Sequence, residues 1–119
     1  AQEPTLLVLD EPTAHLDIGH QCAMMDLIQT LNVQLGLTVI MILHDLNLAA
    51  EYCRNIVLLN NGGMYAYGTP AEVLTYQNIE QVYHSVVVVK SNPITKNPNV
   101  LLIPQRYLSA KTASEREIR

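Results

Sequence analysis

The feature that most limits the fold is a pair of short aliphatic runs, Leu6-Leu7-Val8-Leu9 and Leu37–Leu43, joined by a segment of helical periodicity. Runs that are apolar on both faces describe strands buried in a parallel sheet, not strands with one wet side. Between them Ile18, Cys22, Met25, Ile28 and then Leu31 or Leu35 recur at the helical repeat. Asp17 stands where a helix N-cap is wanted, and Gly36 supplies the left-handed residue that ends the helix. Strand, helix and strand in this order make a parallel crossover unit, expected to be right-handed, so the fold class is α/β. Both strands of such a unit finish on one sheet edge, where open α/β folds place ligands.

What the two runs deliver to that edge is charged. The first ends in Asp10-Glu11-Pro12, and Pro12, having no N–H, stops the ladder there. The second ends at His44. Asp10, Glu11 and His44 are therefore expected on a common rim. A Mg²⁺ at a phosphate site takes one or two carboxylates and keeps several waters, which suits Asp10. Strand alternation turns Glu11 the other way, where it suits orienting or deprotonating a water. His44 suits donation to a phosphate oxygen. Singly these signals are ordinary, since solvated acids end many strands and lone histidines often satisfy nearby backbone. Their convergence after a crossover carries the reading.

Other groupings carry less. His15, His20 and Cys22, with Cys53 or His84, show no zinc-ligand spacing, and His20 and Cys22 sit two apart on a helix, facing different ways. No serine or cysteine has a supporting histidine at a suggestive position. Cys22 and Cys53 form neither a C-x-x-C pair nor a disulfide framework, which points to a reducing, cytoplasmic setting. A formal net charge of -4 with scattered lysines and arginines excludes a nucleic-acid stripe. The apolar runs fall well short of the roughly 20 residues that span a bilayer, and no signal-peptide pattern opens the chain. Only 15% of the 119 residues are charged, against about 25% in a typical soluble domain. Surface that something else normally covers accounts for that shortfall, and so does a compact strand-rich domain.

Downstream the pattern turns antiparallel. Ile56–Leu59 and Met64–Tyr67 flank Asn60-Asn61-Gly62-Gly63, a tight hairpin. Asp45 is placed to cap a short helix over Leu46–Cys53, with Leu46, Ala49, Ala50 and Cys53 on one face. Thr69-Pro70-Ala71-Glu72 fits a capping box with proline in the first helical position, and Thr75 starts another helix to about Tyr83. Val86–Lys90 and Val100–Ile103 form a second hairpin around Asn92-Pro93 and Asn97-Pro98. The six tyrosines are expected to pack the small carboxyl-terminal lobe.

Taken together, Leu6-Leu7-Val8-Leu9-Asp10-Glu11-Pro12-Thr13 resembles the Walker B segment of ATP-binding cassette (ABC) transporter ATPases. Thr13-Ala14-His15-Leu16-Asp17 resembles their D-loop and His44-Asp45-Leu46-Asn47 their switch-histidine loop. The stretch from Leu58 through Leu74 is similar to the same ATPases. Pro93-Ile94-Thr95 and Leu102-Ile103-Pro104 look most like importers of iron-siderophore, haem or vitamin B12. The resemblance covers the carboxyl-terminal half of the family's domain: no G-x-x-x-x-G-K-[ST] phosphate loop and no L-S-G-G-Q signature occur in the chain. Ala1-Gln2-Glu3-Pro4 looks like the segment just after the signature helix. Arg54 stands where an aspartate is usual, and His84 where a glycine is common.

The resemblance implies a partial P-loop NTPase fold, with residues 1–85 as core, 86–108 as a hairpin extension and 109–119 as a polar tail. It implies ATP and Mg²⁺ as cofactors, with Asp10 serving the metal, Glu11 polarising the attacking water, His44 contacting the γ-phosphate and Asp17 communicating across a nucleotide-sandwich dimer. The implied partners are a membrane permease and a second ATPase subunit, at the inner face of the cell membrane. The absent phosphate loop sets against this a non-catalytic dimerising module, and the open sheet edges imply self-association. A chromosome-maintenance ATPase shares the three motifs, but the Gly63–Leu74 segment and the lack of any coiled coil disfavour it.

Overall fold

The computed structural model describes residues 6–108; Ala1-Gln2-Glu3-Pro4 and the expected tail 109–119 lie outside the described residues. The chain divides into two compact units, one ending at Asp45 and the other starting at Leu46. No helix among the described residues is long and apolar enough to cross a membrane.

In the first unit, β1 (Leu6–Asp10) and β2 (Thr38–Ile42) run parallel, in register from Leu6 beside Thr38 to Asp10 beside Ile42. Helix α1 (Ile18–Leu35) connects them and starts where the sequence places it: the Asp17 carboxylate accepts the backbone N–H of His20 at 2.9 Å. It ends at Gly36, whose φ of 65° is the left-handed stop. Asn32 then donates to the Leu37 carbonyl at 2.6 Å, tying the helix end to the entry of β2.

Helix α1 packs against β2 with Met25 and Ile28 buried. The rest of its expected apolar stripe is not covered: Ile18 and Leu35 are 80% and 71% exposed, and Cys22 is exposed as well. The strands depart from expectation in the same way. Leu6, Val8, Ile40 and Ile42 are each more than half exposed and alternate with half-buried neighbours. One helix covers one face of a two-stranded sheet, so a sequence apolar on both faces states a need for cover without supplying it.

The second unit is built from α2 (Leu46–Tyr52), the hairpin β3 (Ile56–Asn60) and β4 (Gly63–Gly68), α3 (Pro70–Val73), α4 (Tyr76–Tyr83), and the hairpin β5 (Val87–Ser91) and β6 (Pro98–Leu102), with a 3₁₀ turn at Gln105–Tyr107. The first hairpin closes through Asn61 and Gly62, at φ 53° and 77°, the two left-handed residues that a two-residue turn of this hand requires. Its register shifts between Leu58 and Leu59, with Tyr65 the extra residue on β4; Leu58 is buried and Leu59 exposed, as strand alternation requires. The capping box forms in full: Thr69 Oγ1 accepts from Glu72 N, and the Glu72 carboxylate accepts from Thr69 N. Thr75 caps α4 by accepting from Asn78 N.

Strand β6 begins at Pro98, two residues before the expected Val100, because a proline as first strand residue costs the ladder no donor. Residues of α2, β3, α3 and its C-cap, α4, β5 and β6 meet in one core of Ala50, Leu58, Val73, Leu74, Ile79, Val87 and Val100, against which Ala66 of β4 packs. The tyrosines mostly stay outside it. Tyr76 packs against the core, whereas Tyr65, Tyr67, Tyr83 and Tyr107 are exposed.

Candidate functional site

The crossover brings the carboxyl ends of β1 and β2 side by side, with Asp10 opposite Ile42 as the last pair of the ladder. One further bond holds the chain as it leaves: Glu11 N donates to the Ile42 carbonyl at 2.8 Å. Glu11 itself has a φ of 49°. A left-handed glutamate costs on the order of 1 kcal/mol, and such residues cluster where geometry serves function. The strand has ended at Asp10, so the alternation expected to orient Glu11 does not reach it; the left-handed backbone turns its side chain instead.

That turn sets a Glu11 carboxylate oxygen, Oε1, against Nε2 of His44, so that the first residue past β1 and the second past β2 meet across the rim. The His44 side chain is 81% exposed, so the pair borders solvent. Asp10 is exposed at the same strand end. Beyond Glu11 the chain makes a tight turn, with Ala14 N donating to the Glu11 carbonyl and Leu16 N to the Thr13 carbonyl. Thr13 is buried, the one buried polar residue among those described, and His15 takes a φ of 66°. Neither feature was readable from residue type, since threonine and histidine carry no signal for a buried turn.

Asp17 lies past this turn, away from the Glu11–His44 contact in sequence, and its carboxylate serves α1. Besides the His20 backbone N–H it meets His20 Nδ1 at 2.7 Å, and these bonds, the backbone one first, hold its carboxyl below the ordinary range. His20 is thus a partner the motif reading did not supply, although an acid at the cap and a histidine three residues on are local enough to be read.

Among the described residues no group of three or more histidines, cysteines or acids is gathered to hold a metal by itself. Asp10 still fits a Mg²⁺ of the phosphate-bound kind, because it offers one exposed carboxylate at a strand end and such an ion completes its shell with phosphate and water oxygens. Burial pushes the Cys53 thiol up from its ordinary range, away from the reactive thiolate.

No family model matches the chain. The ferric enterobactin transport ATP-binding protein FepC of Escherichia coli (strain K12) is 36% identical over 114 residues, which take in 96% of this chain and 41% of that protein. The hemin import ATP-binding protein HmuV of Photobacterium damsela subsp. piscicida is 43% identical over 99 residues, or 83% of this chain and 37% of that protein. Among solved structures, one described as a metal-chelate type ABC transporter in an inward-facing conformation superposes with a TM-score of 0.77. It covers 87% of this chain and 42% of its own, and at 23% identity it speaks for the fold alone. The cbiO1 protein from Clostridium perfringens, part of the ABC transporter complex cbiONQ, superposes with a TM-score of 0.57 at 33% identity over 66% of this chain and 31% of its own. The chain spans less than half the length of each of these proteins.

Proposed function

This chain belongs to the ATP-binding subunits of ABC transporters, and from that premise we propose that it is the part of such a subunit carrying the water-activating acid and the switch histidine. The uptake served is that of an iron chelate or haem, the cargo named for the similar siderophore and hemin proteins. The site would lie at the inner face of the cell membrane, beside a permease and facing a second ATPase subunit.

The observation that carries the reading is the Glu11–His44 contact at the rim of the parallel pair, next to Asp10. A bound Mg²⁺ would supply charge neutralisation for the phosphates, with Asp10 as its protein carboxylate. Glu11 orients the attacking water and takes its proton, a role that asks for a carboxylate within hydrogen-bond reach of that water. His44 holds that carboxylate in the present arrangement and turns to the terminal phosphate when nucleotide is bound. Attack is in line with the leaving oxygen. Asp17 meets the opposing subunit through the turn that leads into α1.

These 119 residues contain no amide cradle or lysine of the phosphate-loop kind, so the chain alone is expected to bind ATP weakly and not to turn it over. Calorimetry showing micromolar ATP affinity would contradict this. Adding the amino-terminal half of a related subunit should restore ATPase activity, and Glu11→Gln should then remove about 10²-fold or more of it, the usual share of a general base. Activity unchanged in Glu11→Gln would sink the assignment. The exposed Leu6, Val8, Ile40 and Ile42 favour a second reading, a dimerising module without catalysis. Complementation separates the two, since only the first predicts restored hydrolysis.

A further inference from the structure

The turn that closes the β3–β4 hairpin holds an electrophile and a nucleophile side by side in solvent. Asn61 and Gly62 are both exposed, at φ 53° and 77°, between Asn60 and Gly63, the last pair of the ladder. The carboxamide carbon of an asparagine closes a five-membered ring when the next residue's backbone nitrogen attacks it. A bulky following residue, hydrogen bonds on either group, or a backbone held in a ladder all oppose that ring. None of these is found at Asn61. Gly62 has no side chain, and no other described part of the chain comes within 4 Å of where its Cβ would stand. Among the described residues nothing accepts the Gly62 N–H or bonds the Asn61 carboxamide. The peptide that joins the two lies beyond the last ladder pair.

The other asparagines are each protected. Asn92 and Asn97 precede prolines, which have no N–H to give up, and both donate to Glu51. Asn32, Asn47 and Asn78 donate to backbone carbonyls and precede aliphatic residues. Asn55 and Asn99 precede Ile56 and Val100, which crowd the nitrogen through a branched Cβ. Asn60 is a paired strand residue followed by another asparagine. We propose that Asn61 is a site of spontaneous covalent modification, converted by water to aspartate and isoaspartate. The Gly62 nitrogen gives its proton to solvent and bonds to Asn61 Cγ; the Cγ–Nδ2 bond breaks, and Nδ2 takes up a proton and leaves as ammonia. Water then opens the cyclic imide. Breaking the new Cγ–N bond gives aspartate. Breaking the original bond between the Asn61 carbonyl carbon and Gly62 N gives isoaspartate, whose main chain runs through Cβ and Cγ and is longer by one atom. The net change is amide plus water to acid plus ammonia, with nothing oxidised or reduced. A two-residue turn has no slack for the added atom, because loop length fixes hairpin register. Isoaspartate therefore loosens the pairing of Leu59 with Met64, whereas aspartate, which also visits the left-handed region, preserves it.

Ageing the full 119-residue chain at mildly alkaline pH, with peptide mapping by mass spectrometry, provides the test. Asn61 should convert from amide to acid ahead of every other asparagine, with fragmentation placing the change there and not at Asn60. The product should resolve into two species of equal mass on chromatography. Gly62→Ala should slow conversion several-fold, because its methyl group crowds the attacking nitrogen. Gly62→Asp carries the test where Gly62→Ala does not fold, since aspartate tolerates a left-handed backbone. In the separated isoaspartate species, amide exchange at Leu59 and Met64 should outpace that of the aspartate species. Conversion at Asn61 no faster than elsewhere, a rate untouched by both Gly62 variants, or equal exchange in the two species overturns the proposal. No nucleotide or partner enters these measurements, so they are independent of the role given to Glu11 and His44.

Discussion

Asp17 and Glu11 show two ways in which a carboxylate is committed before any ligand arrives. Asp17 spends its lone pairs on His20, backbone N–H first, and its carboxyl is held below the ordinary range for that reason. A depressed folded value means that the stabilisation is present above the unfolded value of about pH 4 and is lost as the pH falls through the folded one. The first turn of α1 should therefore loosen on acidification below that range. Asp17→Asn keeps an acceptor for the cap and should flatten this part of the pH profile, while Asp17→Ala should lower Tm throughout. Thermal melts by circular dichroism from pH 3 to 7 check both, and an identical acid slope in Asp17→Asn would refute the cap as its source. Glu11 is committed differently, through a left-handed backbone that aims it at His44. That the acids and the histidine share a rim was legible in the sequence, because parallel strands leave no other outcome. The way Glu11 is aimed was not, because alternation holds only inside a strand and the strand stops one residue too early.

At the scale of elements, the local chemistry of caps and turns was readable almost to the residue. Asn61-Gly62, the Thr69–Glu72 box and Gly36 each fix a backbone with their own side chain or lack of one, so nothing distant is needed to read them. His84 illustrates the cost of departing from such a rule. It caps α4 in the left-handed region at φ 57°, with its N–H donating to the Glu80 carbonyl at 2.8 Å, at a position whose backbone favours glycine. His84→Gly keeps that bond and relieves the Cβ, so it should stabilise the chain by about 1 kcal/mol. Denaturant unfolding measures this, and a destabilised His84→Gly would mean that the imidazole makes contacts worth more than the strain. The start of β6 was missed by two residues because Pro98 reads as a turn residue until its partner Ser91 is known. Pairing is a property of two segments.

For the whole molecule, burial was the least legible quantity. Aliphatic β1 and β2 read as doubly covered, yet Leu6, Val8, Ile40 and Ile42 lie open, because what covers a face is decided by chain elsewhere. Such faces and edges recruit partners. The chain is expected to self-associate, with an apparent mass in light scattering that rises with concentration, and Val8→Lys with Ile40→Lys should suppress the rise. A constant monomer mass across that range would count against it. The packing is also unevenly shared. The cluster of seven interlocking side chains belongs to the segment from Leu46 onward, whereas among the described residues the segment bearing Asp10, Glu11 and His44 buries little beyond Thr13, Met25 and Ile28. A protease given a short exposure should thus trim away the acids first and spare a resistant remnant. Stored or partly digested preparations would go on looking intact to an antibody against the hairpins after the chemically interesting portion had gone.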